Sequence, residues 1–338
     1  MIKIGINGFG RIGRNTFRIL FDKHPEVQIV AINDLTDAKT LAHLLQYDSN
    51  YGTYGKDVSF SESSSELIVA GKKVKIFKEM EPEKIPWGTL GIDVVIESTG
   101  QFTDYAGASK HIIAGAKKVI ISAPSDDPEK IPSFNLGVNE AAFDGKADVV
   151  DMGSCTTNCL STVAKVLHDN FTIKKGFMST IHSYTNDQRT LDLMHKDLRR
   201  ARTAAMNIIP TSTGAAKAIG LVMPELQGKL HGLSLRVPTS TVSIVDLVVD
   251  LAKPASTQAV NDALRTAADG SLKGILGFCD EPLVSSDFRG NAASSIVDGP
   301  STVVMEGKMA KVLSWYDNEW GYSCRVGDLA AFMAEREL

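Results

Sequence analysis

Residues 2–20 constrain the fold more than any other stretch of this 338-residue chain. Ile2-Lys3-Ile4-Gly5-Ile6 alternates as a strand does and runs into Gly8-Phe9-Gly10-Arg11-Ile12-Gly13. Ile12, Phe17, Ile19 and Leu20 then recur at helical spacing. Glycines at 8, 10 and 13 therefore make G-x-G-x-x-G in a strand–turn–helix context. Each has a steric reason: a tight turn, a backbone able to touch a pyrophosphate, and close helix–strand packing. The pyrophosphate would lie on the helix N-terminus. A plain glycine-rich turn has the same pattern, and the next strand separates the two readings. Val27-Gln28-Ile29-Val30-Ala31-Ile32 ends at Asn33-Asp34, and Asp34 lies 21 residues past Gly13. That is where a carboxylate meets the adenosine ribose hydroxyls of a dinucleotide. A carboxylate there repels a 2′-phosphate, which favours NAD over NADP. The competing role for Asp34 is to cap a helix over 36–47.

Further strands read at 67–70 and 74–77, as a hairpin turning at Gly71-Lys72, with a polar surface loop at 61–66 before them. Asp93 to Glu97 ends at Ser98-Thr99-Gly100, and Lys118 to Ile121 ends at Ser122-Ala123-Pro124, with a helix over 104–116 between them. Strands alternating with helices predict a doubly wound parallel sheet. Its ligands bind at the carboxyl ends of the strands, where Thr99 and Ser122 fall.

The second half opens on Gly153-Ser154-Cys155-Thr156-Thr157-Asn158-Cys159. A strand at 148–151 precedes it, and Leu160, Val163, Ala164 and Leu167 follow at helical spacing. Ser154 sits where an N-cap belongs and Cys155 in the first turn, where backbone N–H groups and the helix dipole favour a thiolate. A buried structural cysteine is the other reading of that position. Strand 176–181 leads to His182. The long polar stretch 183–207 carries Asp187, Arg189, Arg199, Arg200 and Arg202, and is either a functional or interface loop or a solvated run. Pro210 to Gly214 opens a helix, making Thr213 and Gly214 a second anion position. Strands at 233–237, 241–251, 296–297, 303–305 and 311–316, with a helix over 256–268, predict a mostly antiparallel α+β second domain. A last helix covers 319–335.

A net charge of −4, from 36 basic and 40 acidic side chains, gives no electrostatic case for a nucleic-acid or membrane partner. The four cysteines have no metal-site spacing and are too sparse for a disulfide framework. No metal site is expected. With no apolar run of membrane length and no targeting core at the N-terminus, a cytoplasmic location is the expectation.

Five segments carry a resemblance to phosphorylating glyceraldehyde-3-phosphate dehydrogenases: Ile6 to Arg14, Ser154 to Cys159, Ile181 to Thr185, Arg236-Val237-Pro238-Thr239, and Trp315 to Ser323. They span nearly the whole chain in the family's order. The resemblance implies a Rossmann-type NAD domain over residues 1–154 and 319–338 and a catalytic domain over 155–318. It implies Cys155 as nucleophile and His182 as its partner. Thr185, Arg200 and Arg236 resemble the positions that bind substrate phosphate and attacking phosphate, helped by Thr213, Gly214, Ser154 and Thr156. Arg11, Ile12, Asp34, Lys78, Thr99 and Ser122 match cofactor positions, with Asn318 on the carboxamide. The reaction implied joins glyceraldehyde 3-phosphate, inorganic phosphate and NAD, in a homotetramer whose 183–207 loop lies against a neighbour's cofactor site. Leu193 resembles the apolar residue of NAD-preferring members. The chain departs from the family at Asp151-Met152-Gly153, at Ser161-Thr162 and at Met194. One rival is erythrose-4-phosphate dehydrogenase, but Tyr184-Thr185-Asn186 and Ser212-Thr213-Gly214 keep the triose pattern. The rival from another class is an NAD- or redox-sensing binding protein.

Overall fold

The computed structural model describes residues 1–337. They form two units: residues 1–134, 141–153 and the segment from 323 onward make the first, and residues 135–140 and 154–322 the second.

The first unit runs β1 (Ile2–Asn7), α1 (Arg11–Lys23), β2 (Val27–Asn33), α2 (Ala38–Gln46), a small hairpin β3 (Tyr47–Asp48) and β4 (Gly52–Thr53), β5 (Val58–Ser61), β6 (Glu66–Val69) and β7 (Lys72–Phe77). It continues with α3 (Trp87–Leu90), β8 (Val94–Glu97), α4 (Tyr105–Ala108), α5 (Lys110–Ile113), β9 (Lys118–Ile121) and β10 (Val149–Asp151). The eight-stranded sheet has the order β10-β9-β8-β1-β2-β7-β6-β5. From β10 to β7 every pair is parallel, while β7-β6-β5 turns antiparallel. Ile4, Ile6, Ala31, Ile32, Val95, Ile96, Val119 and Ile120 are fully buried, as a parallel sheet covered on both faces requires. Chain order reverses at β1, between β2 and β8, so the switch point of the sheet lies directly above the glycine turn. Trp87 packs against β1 because residue 5 has no side chain: a Cβ on Gly5 would come within 2.7 Å of the indole.

Three local expectations change. The hairpin turns at Ala70-Gly71, both left-handed with φ of 46° and 79°, one residue earlier than expected. The helix expected over 104–116 is two short helices meeting at Ser109, the first capped by Asp104, which accepts from Gly107 N at 2.6 Å. The polar segment read as loop begins in β5, whose mixed exposure gave no alternating signal.

The second unit holds α6 (Cys155–Phe171), β11 (Ile173–Ser183), β12 (Ile209–Ser212), α7 (Ala215–Val222), β13 (Leu230–Val237), β14 (Ser243–Leu251), α8 (Thr257–Asp269), β15 (Leu276–Cys279), β16 (Ser295–Met305) and β17 (Met309–Tyr316). Its sheet has the order β12-β13-β11-β14-β17-β16-β15 and is mixed rather than simply antiparallel, since β11 pairs β13 and β15 pairs β16 in parallel. Pro210 lies in edge strand β12, where a missing N–H is tolerated, and not at a helix start. Strands expected at 296–297 and 303–305 are the two ends of β16, which is irregular between Asp298 and Val303. Leu160, Val163, Ala164 and Leu167 of α6 share a core with Val245, Leu247, Val249, Ala310 and Val312. Strict alternation along β14 buries one face against these helices. The other face presents Phe177, Leu233, Val303, Met305 and Met309 to solvent, Phe177 at 71% exposure.

Helix α9 (Trp320–Glu337) returns the chain end to the first unit. There His24 Nε2 lies 3.2 Å from Asp328 and Nδ1 2.9 Å from Glu26. The Asp328 hydrogen bond, opposed by burial and helped by Glu26, raises the imidazole above its ordinary 6.5. A raised value means that folding favours the proton, so the latch contributes fully below about pH 6.5 and fades as pH rises through the folded value. His24→Gln should therefore cost about 1 kcal/mol near pH 6 and nothing at alkaline pH. Urea unfolding at several pH values checks this. A cost independent of pH would contradict it.

Candidate active site

Ser154 Oγ accepts from Thr157 N at 3.0 Å while Thr157 Oγ1 accepts from Ser154 N at 3.3 Å, a reciprocal capping box that fixes where α6 starts. Cys155 is its first residue, and its Sγ lies 3.5 Å from His182 Nε2. The parallel register of β11 on β13 sets His182 beside Arg236. His182 Nδ1 is 2.7 Å from the Ser183 carbonyl, which can only accept. Arg236 Nη1 donates to the same carbonyl at 3.3 Å and stands 2.9 Å from Nδ1. Nε2 faces the thiol.

Burial, with Arg236 beside it, holds the His182 imidazole down to about 3. Burial also pushes the Cys155 thiol up, against the pull of Arg236 and the Thr156 N–H and hydroxyl. The helix N-terminus alone therefore does not secure a thiolate, contrary to the expectation from position. A lone buried charge is costly on either group, whereas a thiolate–imidazolium pair has no net charge, so the two titrate together. His182 Nε2, 3.5 Å away, is the imidazole within reach of the thiol proton. Cys159, by contrast, is fully buried against Ser295 Oγ at 3.4 Å, and burial pushes it up to about 12. It is a packed, inert thiol.

Tyr316, which sequence reasoning passed over, braces the site. Its hydroxyl lies 2.9 Å from Thr156 Oγ1 and 2.8 Å from Thr180 Oγ1, and its ring meets His182 edge-on at 6.0 Å. It was visible only as part of the Trp315–Ser323 motif. Arg200 reaches Thr211 Oγ1 at 2.9 Å, Asp187 Oδ2 at 2.5 Å and Ser212 O at 3.3 Å. Its charge also bears on His182 and Arg236. Arg199 instead donates to Pro210 O on the exposed side. Thr213 and Gly214 follow directly at the start of α7. Thr185 belongs to the turn in which its carbonyl accepts from Gln188 N, with no bond to Cys155 or His182. Asn318 Oδ1 accepts from Ser183 and Ser243 hydroxyls.

In the first unit the remaining candidates gather at the carboxyl ends of the strands. Gly8 has φ of 89°, and a Cβ there would sit 2.7 Å from Thr99 N. A Cβ on Gly13 would be 2.1 Å from Gly8 O, whereas one on Gly10 would meet nothing within 4 Å. Gly10 thus borders open space into which the first turn of α1, with Arg11 and Ile12, directs backbone N–H groups. That arrangement fits a dinucleotide pyrophosphate. Arg11 also pairs its guanidinium with Asp48. Asp34 accepts from Phe9 N at 2.8 Å, so the carboxylate expected on a ribose also pins the glycine turn. Asp34 N bonds Phe77 O, which places Lys78 at the next position along. Ser122 N bonds Glu97 O. Buried Glu97, unnoticed in the sequence, accepts from Thr99 N at 2.8 Å, Thr99 Oγ1 at 2.5 Å, Asn7 Nδ2 at 2.6 Å and His111 Nε2 at 2.9 Å. Thr99 is held in place by that cage.

Two glycine variants should part company. Gly10→Ala should fold normally and lose roughly tenfold or more in NAD affinity, because its methyl enters the pyrophosphate space. Gly13→Ala should lose stability as well, by about 1–3 kcal/mol, since its Cβ overlaps backbone. Calorimetric NAD titration beside thermal unfolding checks both. Normal NAD binding by Gly10→Ala would place the pyrophosphate elsewhere.

Among the described residues, no cluster of three or more His, Cys, Asp or Glu could hold a metal ion. No helix among them is long and apolar enough to cross a membrane. Residues 2–105 match the family pattern for the glyceraldehyde 3-phosphate dehydrogenase NAD binding domain, and residues 154–318 match its C-terminal domain. Glyceraldehyde-3-phosphate dehydrogenase 1 of Bacillus cereus is 58% identical over 339 residues, covering 100% of both chains. The Bacillus subtilis (strain 168) protein of the same name is 58% identical, and the Geobacillus stearothermophilus glyceraldehyde-3-phosphate dehydrogenase 56%, each over 100% of this chain and 99% of the relative. Likeness of that depth, reaching over the whole chain and through both domain patterns, settles the ancestry: the chain belongs to the glyceraldehyde-3-phosphate dehydrogenase family.

Proposed function

We propose that the protein oxidises D-glyceraldehyde 3-phosphate with NAD and inorganic phosphate to 1,3-bisphosphoglycerate, through a thioester on Cys155. The observation that carries this reading is the nucleophile, base and cation within one reach: Cys155 Sγ 3.5 Å from His182 Nε2, and Arg236 2.9 Å from the same ring. NAD supplies the hydride acceptor when bound. The chain's residues do the rest. Cys155 gives its proton to His182 and attacks the aldehyde carbon, and the imidazolium returns that proton to the former carbonyl oxygen, forming a hemithioacetal and leaving His182 neutral. His182 Nε2 then takes the hemithioacetal hydroxyl proton as the C–O bond becomes a thioester carbonyl and the C–H hydride departs. A phosphate oxygen attacks that carbonyl and Cys155 leaves as thiolate. Arg236 and Arg200, with planar forks suited to phosphate oxygens, hold the two phosphate groups, helped by Thr185, Thr213, Gly214, Ser154 and Thr156. On this reading the first unit holds NAD through Gly8, Gly10, Arg11, Ile12, Gly13, Asp34, Lys78, Thr99 and Ser122, and Asn318 holds the carboxamide.

The same reading includes a homotetramer in the cytoplasm. The uncovered sheet face with Phe177, Leu233, Val303, Met305 and Met309 supports association, as do Leu191, Leu193, Met194 and Leu198, all more than 60% exposed.

With NAD and substrate but neither phosphate nor arsenate, the protein should release at most about one NADH per subunit and stop. Mass spectrometry should find an acyl group on the Cys155 peptide. Phosphate should restart turnover, and Arg236→Ala should blunt the restart. Free turnover without phosphate would mean water attacks the thioester, and the phosphorylating reading would fall.

A further inference from the structure

Asn318 is 6% exposed, and its side-chain oxygen is fully occupied: Ser183 Oγ donates to Oδ1 at 2.7 Å and Ser243 Oγ at 3.0 Å. Both serines are buried, Ser183 completely. Ser243 Oγ also accepts from Ser183 N at 3.1 Å, which spends a lone pair and leaves its proton for Asn318. Nδ2 has no partner among the described residues, yet it is not sealed from solvent. An amide whose oxygen is held by two hydroxyls cannot turn over without breaking both bonds, and the two N–H groups are all it offers a ligand. The Ser183 carbonyl meanwhile holds His182 Nδ1 at 2.7 Å, so one residue orients both the base and the amide.

We propose that Ser183 and Ser243 are positioning residues that lock Asn318 with its N–H groups outward, making it a donor-only subsite that recognises the carbonyl oxygen of the nicotinamide substituent. This rests on the assignment of Asn318 to the carboxamide. A rigid donor needs an acceptor in the ligand and is indifferent to the ligand's own N–H. An amide free to flip serves either.

The test is binding, read by calorimetry on the intact protein with three dinucleotides: NAD, its 3-acetylpyridine analogue (carbonyl kept, amine removed), and the analogue with unsubstituted pyridine (both removed). The parent protein should bind the acetylpyridine form within about threefold of NAD and the pyridine form at least about tenfold more weakly. Ser243→Ala and the double variant with Ser183→Ala should lose NAD affinity severalfold and narrow the gap between NAD and the pyridine form. Ser243→Thr, which keeps the hydroxyl, should restore it. Adenosine diphosphate ribose, lacking the nicotinamide, should bind all variants alike, which separates a local change from misfolding. Asn318→Ala separates the two ideas. If it leaves NAD binding unchanged, the carboxamide assignment fails. If it weakens NAD while the serine variants keep the parent's ratios among the three ligands, the carboxamide assignment stands and the lock is overturned.

Discussion

Cys155→Ser should fold, bind NAD and lose at least about three orders of magnitude in turnover. The capping box around Ser154 and Thr157 does not involve the side chain at 155, so α6 should start where it did. What disappears is the anion. A hydroxyl is far less acidic than a thiol, so the pairing with His182 that can ionise Cys155 leaves a serine there protonated at neutral pH. Cys159→Ser should keep most activity, because that sulfur packs against Ser295 and Ser314 instead of facing the base. The two variants measured side by side, with NADH formation at saturating substrates, decide the nucleophile. Reversed results would assign it to position 159.

The second large effect is expected at His182. His182→Asn should lower turnover by roughly two to four orders of magnitude and should slow alkylation of Cys155 by iodoacetamide, moving its pH midpoint upward. The cause is the pairing described above: a thiolate facing a neutral amide has lost its compensating cation, while burial continues to oppose it. Stability should change with the opposite economy of charge. Because folding depresses this imidazole, the unfolded chain binds the extra proton, and the parent loses stability as pH falls from 6.5 towards about 3. The variant lacks that loss, so its acid limb should be shallower. An alkylation profile unchanged from the parent would show that His182 does not govern the thiol.

Much of this was legible before any coordinates, for reasons that differ by segment. The strands of the first sheet are buried on both faces and read as continuous apolar runs; the glycine turn is legible because its geometry excludes a Cβ at residues 8 and 13. Ser154 and Cys155 were placed correctly on α6 by cap chemistry, a local signal. What stayed hidden was set by distant partners. Position alone suggested a ready thiolate, but the burial that opposes it comes from the surrounding fold and the imidazole from β11. Glu97 looked like the polar end of a strand until four donors converged on it. Strand β5 was missed since its residues are half exposed on both sides of the pleat. Pro210 was misread because proline marks a helix start and an edge strand equally well.

The bond between Thr156 and Tyr316 spans 160 positions of sequence, and the first unit is completed only by residues from 323 onward. During synthesis the amino end leaves the ribosome first, at about 5–20 residues per second. For a chain of this length that leaves roughly tens of seconds in which Cys155 exists but its brace does not. Arg236 and Tyr316 follow it out late, and the first unit cannot close before the residues from 323 onward are made. A growing chain therefore carries a plain thiol, and a fragment ending anywhere between Cys155 and Tyr316 has the nucleophile without the surroundings that put it to work. Function arrives with the last few dozen residues, all at once.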